Sequence, residues 1–579
     1  MNSRSLLFCL LATVLLWCLP AHAQNSTLMD ALSSELHRAM TDLAAPAATA
    51  APAEPAGASS GAAADNRQPP YYVSYAAHDR YDVAVMAEQG GLIGSNEQHS
   101  RRADIVIRVG DRKLDNTHNE NRFSAIHTVE LPLADDRAAI ERALWWGTNT
   151  EYREALATYL RVKTAEQVRA KEEDTSPDFS QETPVTANGA PAGAPRVDLT
   201  AWNERVKALS AVFRKYPHVY SNFVILSVTD ETTDFVSSEG TKVVAPHRLA
   251  RVVALGVTRA DDGMDLFRMA SFEADAVDGL PAQAAMLVEM NKLAASLEKL
   301  REAPVTEPFS GPAILSGRAA AVFFHEVLGH RLEGQRQRGD QEGETFTKDV
   351  GKPILPEFMS VADDPTEQKF HGIWLSGAYA YDDEGEPARR VNLIDDGVLK
   401  TFLMSRLPIA SFAASNGHGR AQDGLLPTGR QGNLIVSSTK SVTDAKLRQM
   451  LIDEAKKQGK PYGLYFEDIS SGFALTTRGQ PQAFSVVPLV VWRVYADGRP
   501  DELVRGVSIV GTPQAALKSI LATGDTSEVF NGDCGAESGT IPVSAVSPAI
   551  LMSQLETQRV QQGTARPPIL PPPTAEVQQ

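Results

Sequence analysis

Two histidines five residues apart constrain this chain more than any other feature. The stretch Phe323-Phe324-His325-Glu326-Val327-Leu328-Gly329-His330 reads His-Glu-x-x-x-His. Two imidazoles and a nearby carboxylate are what a catalytic zinc site needs: nitrogen ligands for a borderline-soft ion, and a base for the water it activates. The common zinc-protease helix spaces its histidines four apart, so both lie on one face. At five apart, an ideal helix turning about 100° per residue leaves the side chains roughly 140° apart. A regular helix over this stretch does not aim both at one ion. Gly329 stands just before His330, where a helix can widen or break cheaply. The pattern is either a variant site on a distorted helix or a coincidence.

Cysteine usage bears on that choice. The chain has three cysteines, Cys9, Cys18 and Cys534. The first two fall in a segment with Arg4, an apolar run from Leu6 to Leu19 and Ala21-His22-Ala23 before Gln24. A charged start, a short apolar core and an Ala-x-Ala site read as a secretory signal peptide over residues 1–23. The run is too short to span a bilayer comfortably. Cleavage at Ala23 leaves Cys534 alone, so no disulfide can form within the mature chain. Cys534 lies in Phe530-Asn531-Gly532-Asp533-Cys534-Gly535-Ala536-Glu537-Ser538-Gly539, which reads as a polar, Gly-rich loop rather than as core. Its bland role is a small buried hydrophobe. Its functional role is a thiolate completing a two-His, one-Cys set that leaves zinc a fourth position for water.

The formal net charge of −16 argues against a nucleic-acid partner, because phosphate binding needs a basic face. No stretch after residue 23 approaches membrane-spanning length, so the mature protein is expected in the periplasm or outside the cell. Residues 24–70 read as a short helix, Leu28 to Leu43, followed by an Ala/Pro/Gly/Ser linker. An N-terminal α/β domain is expected over 71–305. Its strands are Tyr81–Val85, Ile105–Val109, Val219–Thr229, Thr232–Ser238, Thr241–Val244 and His247–Val257. Its helices are Asp135–Glu173, Asp198–Lys215 and Pro281–Glu302, with Thr175–Pro195 an exposed loop. A mainly antiparallel β domain is expected over 311–560, opening with the motif helix, Ser316–Arg331. Val391–Leu399, joined at Asp395-Asp396-Gly397, and Val491–Gly498 read as hairpins. The whole is an α+β chain, with residues 561–579 a Pro-rich disordered tail.

Several segments together resemble one family. His325-Glu326-Val327-Leu328-Gly329-His330-Arg331-Leu332-Glu333-Gly334 is similar to the signature of the TldD/PmbA metallopeptidases. Tyr381-Asp382-Asp383-Glu384-Gly385, the Asn392–Lys400 hairpin, Gly463-Leu464-Tyr465-Phe466, Val504-Arg505-Gly506-Val507 and the Cys534-Gly535 segment before Ile541-Pro542-Val543 follow in the family's order. The resemblance covers about 311–555 well and 71–305 more weakly. It implies one zinc ion per chain, held by His325, His330 and Cys534, with Glu326 as general base. It further implies a flexible peptide substrate and a dimer, either with itself or with a metal-free relative of the PmbA type. Because the metal residues are all present, the chain resembles the catalytic, TldD-like type.

Other polar residues invite roles. Glu333 reads as a fourth ligand, a partner for an imidazole N–H or a helix-end carboxylate. His418 reads as an exposed loop histidine, with an oxyanion role as the alternative. Arg430 and Asn433 are candidate substrate contacts, and Asp382, Asp383 and Glu384 read as a solvated acidic turn. Three functions compete. The first is a zinc peptidase acting on flexible peptides. The second is a non-catalytic peptide-binding or maturation subunit. The third is a cysteine hydrolase built on Cys534.

Overall fold

The computed structural model describes residues 26–43, 68–118, 126–166, 174–338, 343–478, 483–560 and 566–570. The signal peptide at 1–23, most of the 44–70 linker, the end of the Asp135–Glu173 helix and most of the 561–579 tail lie outside the described residues.

The N-terminal sheet is built from long strands: β1 (Pro70–Glu88), β2 (Gly91–Val109), β3 (His127–Glu130), β4 (Thr186–Asn188), β5 (Ser221–Ser237), β6 (Lys242–Arg259) and β7 (Asp265–Ala274). Their order is β3-β2-β1-β5-β6-β4, with β7 also on β6, and every pairing except β4–β6 is antiparallel. Two pairs of strands expected to be separate are each one strand. β5 runs straight through Thr229–Thr232, and β6 runs through Ala245-Pro246, because both lie deep inside the ladder.

Alternation assigns the two faces of this sheet. Val73, Tyr75, Ala77, Ile105 and Ile107 point to α1 (Thr27–Asp42) and α2 (Arg137–Glu166). Val83, Val85, Val224, Leu226 and Val252 point to α3 (Leu199–Ser210) and α4 (Gln283–Glu302). Helix α1 therefore belongs to this domain's core, although residues 44–67 separate it from β1. The interleaved residues His78, Arg80, Asp82, Arg102, Asp104, Thr229, Glu231 and Thr233 face the other way, into a cleft of about 1250 Å³.

The C-terminal half carries a second sheet: β8 (Ser310–Leu315), β9 (Met359–Asp363), β10 (Val391–Asp395), β11 (Asn433–Ser438), β12 (Tyr462–Ala474), β13 (Phe484–Tyr495), β14 (Val507–Gly511), β15 (Ile520–Ala536) and β16 (Gly539–Arg559). β8 pairs with both β12 and β16, so the run β16-β14-β13-β12-β8 closes on itself. Closure leaves no free edge within that run. Helix α5 (Gly317–Val327) packs against β12, β15 and β16, and all of its residues except Arg318 are buried.

The Thr175–Pro195 segment is not an exposed loop throughout. Asp178, Phe179 and Ser180 are buried and join the two halves. Phe179 lies between the Arg108 and Arg406 guanidinium groups, 3.9 and 4.0 Å from its ring centre. Ser180 N donates to the Arg406 carbonyl, the Arg406 guanidinium donates to the Ser180 carbonyl, and Asp178 pairs with Arg338 at 2.9 Å. Buried arginines need such acceptors, so the segment is held where two charged surfaces would otherwise meet unpaired.

Candidate metal centre

Helix α5 starts at Ser316, whose hydroxyl accepts from the Ala319 N–H and donates to the Glu467 carbonyl. It ends at Val327, four residues short of the expected Arg331, and the physical reason is visible. Leu328 departs from helical geometry at φ −115°, ψ −55°, and a 3-10 turn follows over Gly329–Leu332. A Cβ on Gly329 would lie 1.9 Å from Gln431 Oε1, so only glycine permits this close approach. The Arg331 guanidinium donates to the freed carbonyls of Glu326 and Val327 and, across the site, to those of Leu475 and Ala483. Without tertiary partners these carbonyls would be orphaned in a dry core.

This break solves the spacing problem. The His325 and His330 rings sit 4.9 Å apart at 78°, and one ligand atom each from His325, His330 and Cys534 lie within 4.8 Å of one another. The expectation of a loop for Cys534 is corrected. It stands on β15, paired with Ile541 of β16, two residues before that long hairpin turns. Its polar, Gly-rich sequence belongs to the end of a strand pair whose inner face is buried. Cys534 Sγ is 3.4 Å from His330 Nε2, and Glu326 Oε2 is 4.0 Å from that same nitrogen. All four side chains are buried, at 5–7% exposure, so nothing here is a solvated surface cluster.

Charge reinforces the grouping. Burial disfavours the Cys534 thiolate, but His330 and His325 outweigh it and hold the thiol well below its usual range. Burial likewise opposes a charge on His330, and Cys534 and Glu333 outweigh it and raise that imidazole well above its usual value. Buried carboxylate and ring atoms are seldom left unsatisfied. Yet Glu326 Oε2 and His325 Nδ1 are both buried without a hydrogen-bond partner among the described residues. Two nitrogens, a thiolate and an orphaned carboxylate oxygen fit a zinc ion with an open position.

Surrounding groups hold this set in place. Glu333, fully buried, lies 3.1 Å from His330 Nδ1 and accepts from Arg336 Nε at 2.7 Å. Of its three sequence roles, the geometry matches the partner of the imidazole. Burial works against its charge, but His330 and Arg336 bring its pKa down to about 2. Arg336 continues to Glu537, at the tip of the Cys534 hairpin, at 2.8 Å. Arg430 donates to the Cys534 carbonyl, the Ser538 hydroxyl and the Gly539 carbonyl. Fully buried and so engaged, it is a clamp on the hairpin rather than a free substrate contact. Asn433 likewise serves main-chain carbonyls of Asp364 and Glu367.

His418 is fully buried, not exposed, with its Nε2 3.3 Å from Asp363. In the acidic turn Asp382 is buried, whereas Asp383 and Glu384 are half-buried. Asp382 accepts from the N–H groups of Glu384, Glu386 and Gly419, and Glu384 accepts from Arg406 N. Burial pushes Glu384 up to about 7. Arg331, Arg336, Gln431 and Glu537 were not expected at the site. The available signal was three arginines in 331–338 directly after the motif, too many for an apolar turn unless they pair inside. The cleft touches the Cys534 hairpin at Asp533, Thr540, Ile541 and Pro542, whereas His325, Glu326 and His330 do not line it.

Residues 309–559 match the model of the PmbA/TldA metallopeptidase C-terminal domain. A metalloprotease TldD homolog from Buchnera aphidicola is 27% identical over 255 residues, which cover 43% of this chain and 48% of the relative. A metalloprotease of Archaeoglobus fulgidus is 26% identical over 278 residues, 48% of this chain and 58% of the relative. A zinc metalloprotease TldD homolog from Saccharolobus solfataricus is 24% identical over 276 residues, 46% of this chain and 57% of the relative. The chain thus spans about half the length of the curated relatives it matches. Among solved structures, TldE from Thermococcus kodakarensis aligns with a TM-score of 0.54 at 14% identity, covering 84% of this chain and 97% of that one. At that identity the likeness speaks for the fold alone. A metallopeptidase-type C-terminal domain beside an antiparallel sheet domain is the class these features define. Over residues 309–559 the chain is similar to the C-terminal domain of the TldD/PmbA metallopeptidases.

Proposed function

We propose that this protein is a zinc-dependent peptidase of the TldD-like type, acting on flexible or unfolded peptides. The observation that carries the reading is the convergence of His325, His330 and Cys534 around one point, with an unpartnered Glu326 oxygen beside it. Zinc held there supplies a Lewis acid toward a scissile carbonyl and acidifies water. Glu326 is the group that takes the water's proton and hands it to the leaving amine, because its Oε2 is buried and makes no competing hydrogen bond. Glu333 fixes His330 through Nδ1 and leaves Nε2 for the ion. Arg430 and Arg336 hold the hairpin of Cys534 against the α5 side of the site. The cleft between the two sheets gives an extended peptide room to lie along main-chain donors and acceptors with little sequence preference. A homodimer, or a heterodimer with a metal-free family relative, completes the proposed assembly. Residues 1–23 support an exported, periplasmic or secreted protein.

A second reading, a peptide-binding subunit without catalysis, draws on the absence of His325, Glu326 and His330 from the cleft lining. Metal analysis and peptide cleavage separate the two. Wild-type protein is expected to carry about one zinc per chain and to cleave an unstructured peptide. Cys534→Ala is expected to lose the metal, and Glu326→Gln to keep the metal but lose cleavage. A folded, never-chelated wild type without zinc refutes the zinc reading. Glu326→Gln with undiminished cleavage refutes the mechanism.

A further inference from the structure

On the floor of the cleft, well apart in sequence from the zinc motif, a second set of donor atoms converges. His78 stands on β1, Glu231 and Thr233 on β5, and Asp423 on a loop of the C-terminal half. Glu231 Oε1 is 3.0 Å, Thr233 Oγ1 3.3 Å and Asp423 Oδ1 3.7 Å from one atom, His78 Nδ1. Thr233 Oγ1 is also 3.3 Å from Glu231 Oε1. A ring nitrogen carries at most one hydrogen, so Nδ1 can donate to only one of these oxygens, while the Thr233 hydroxyl donates to Glu231 Oε1. We propose that His78 Nδ1, Glu231 Oε1, Asp423 Oδ1 and Thr233 Oγ1 form a divalent-cation site that ties the 421–425 loop to the N-terminal sheet.

The spacing is compatible with a shared metal ion as well as with hydrogen bonds. Bonds of about 2.0–2.2 Å to a first-row cation set neighbouring ligand atoms roughly 3.0–3.5 Å apart. Three of the four separations fall in that window, and the Asp423 contact is slightly outside it. The groups behind these donors are arranged as a metal's outer partners are. Asp104 Oδ2 lies 3.7 Å from His78 Nε2, the nitrogen on the far side of the ring, and Arg80 Nη1 lies 3.4 Å from Glu231 Oε2, the oxygen not offered. His247, directly across the β5–β6 ladder from Glu231, lines the same cleft and has no hydrogen-bond partner among the described residues. Burial holds its imidazole below the usual value, which leaves it neutral and able to donate a lone pair. Burial, with Glu231 and Asp104 adding to it and His78 partly offsetting it, raises Asp423. Burial works against a charge on His78, but Asp423, Asp104 and Glu231 outweigh it and raise that imidazole, so a cation here would take the place of the His78 proton. One imidazole with carboxylates and a hydroxyl suits Mn²⁺ or Zn²⁺.

The site has a mechanical consequence. Gly424 N donates to Asp104 Oδ2, and Ile126 N donates to the Gly424 carbonyl, so the loop already docks on the N-terminal sheet. Two residues earlier, Gln422 N donates to the Ser538 carbonyl and Gln422 Oε1 accepts from Thr540 N, on the hairpin of Cys534. Asp423 sits between these anchors. A cation bound there fixes the distance across the cleft between the sheet and the metal-centre hairpin.

The test uses the full chain carrying Cys534→Ser, which removes the first metal set, so that this site is counted separately from the zinc reading. Mn²⁺ is titrated and the free ion followed by its six-line electron paramagnetic resonance signal. One Mn²⁺ per chain is expected, weakened at least ten-fold by Asp423→Asn and by Thr233→Val, with amide exchange over 421–425 slowed by the ion. Thr233→Val keeps the strand's shape, so it guards against misreading an unfolded Asp423 variant. No bound Mn²⁺, or binding that neither substitution weakens, overturns the proposal.

Discussion

Gly472→Ala tests how tightly the Glu326 carboxylate is placed. A Cβ at Gly472 would stand 2.6 Å from Glu326 Cγ, 3.1 Å from Glu326 Cδ and 2.9 Å from the Ser485 carbonyl. The carbonyl belongs to the β12–β13 ladder and cannot retreat, so Glu326 must move. Restoring ordinary contact at about 3.4 Å from 2.6 Å requires a displacement of roughly 0.8 Å. Overpacking of this kind costs about 1–3 kcal/mol, partly offset by the roughly 0.5–1 kcal/mol that alanine gains over glycine in a strand. A misplacement near 1 Å of a catalytic group costs on the order of 100-fold in rate. None of the clashing atoms belongs to His325, His330 or Cys534, so the metal should stay. Urea unfolding, elemental analysis and steady-state cleavage of an internally quenched flexible peptide measure the three quantities. The expected result is kcat down by about 10–100-fold, KM little changed, zinc unchanged and stability lower by about 1–2 kcal/mol. Adding Glu326→Gln to Gly472→Ala should lower kcat no further than Glu326→Gln alone, since both act through one carboxylate. Unchanged kcat, or loss of zinc together with activity, would refute the reasoning.

Glu333→Gln removes the charge that faces His330 Nδ1 and Arg336, and should weaken zinc affinity by about 10–100-fold in competition with a chromophoric chelator; unaltered affinity would show that the pair is ornamental. Arg331→Met leaves the Glu326, Val327, Leu475 and Ala483 carbonyls without their buried donor and should destabilise the fold by about 3 kcal/mol in chemical denaturation; a loss under about 1 kcal/mol would mean water replaces the guanidinium. Asp115 is fully buried and accepts from Arg108, Tyr71 and Thr117. Burial opposes its charge, Arg108 with the Tyr71 and Thr117 hydroxyls together outweighs burial, and the carboxyl is held below its ordinary 3.8. A depressed acid contributes stability above its unfolded value and loses it as pH falls through the folded value. The unfolding midpoint should therefore drop on acidification below about pH 4 in wild type. In Asp115→Asn that slope should shrink, and the variant should already be less stable at pH 7 by about 3–5 kcal/mol because Arg108 loses its charge partner. Parallel pH profiles for the two proteins would exclude this role.

Much of this protein can be read from its residues alone, because the relevant signals are local. Strand alternation and caps mark most of the elements, and the His-Glu-x-x-x-His spacing itself says that a straight helix cannot serve a metal there. Glycine before His330 even marks where the break falls. What the chain alone leaves open is every role set by a neighbour distant in sequence. Cys534 reads as loop because its polar, glycine-rich surroundings disguise a strand whose partner, Ile541, covers it only in the closed sheet. His418, Arg430, Asn433 and Asp382 read as exposed or substrate-facing because polar side chains usually are. They are buried because Asp363, the Cys534 hairpin, main-chain carbonyls and turn N–H groups reach them from elsewhere in the chain. The alternating polar residues of β1 and β5 show that one sheet face avoids the core. Only packing decides that this face meets the C-terminal half across a cleft, with His78, Glu231 and Asp423 brought together from three separate stretches. Local propensity acts over a few residues, whereas burial and charge pairing act through space, and the metal centre is made by the second.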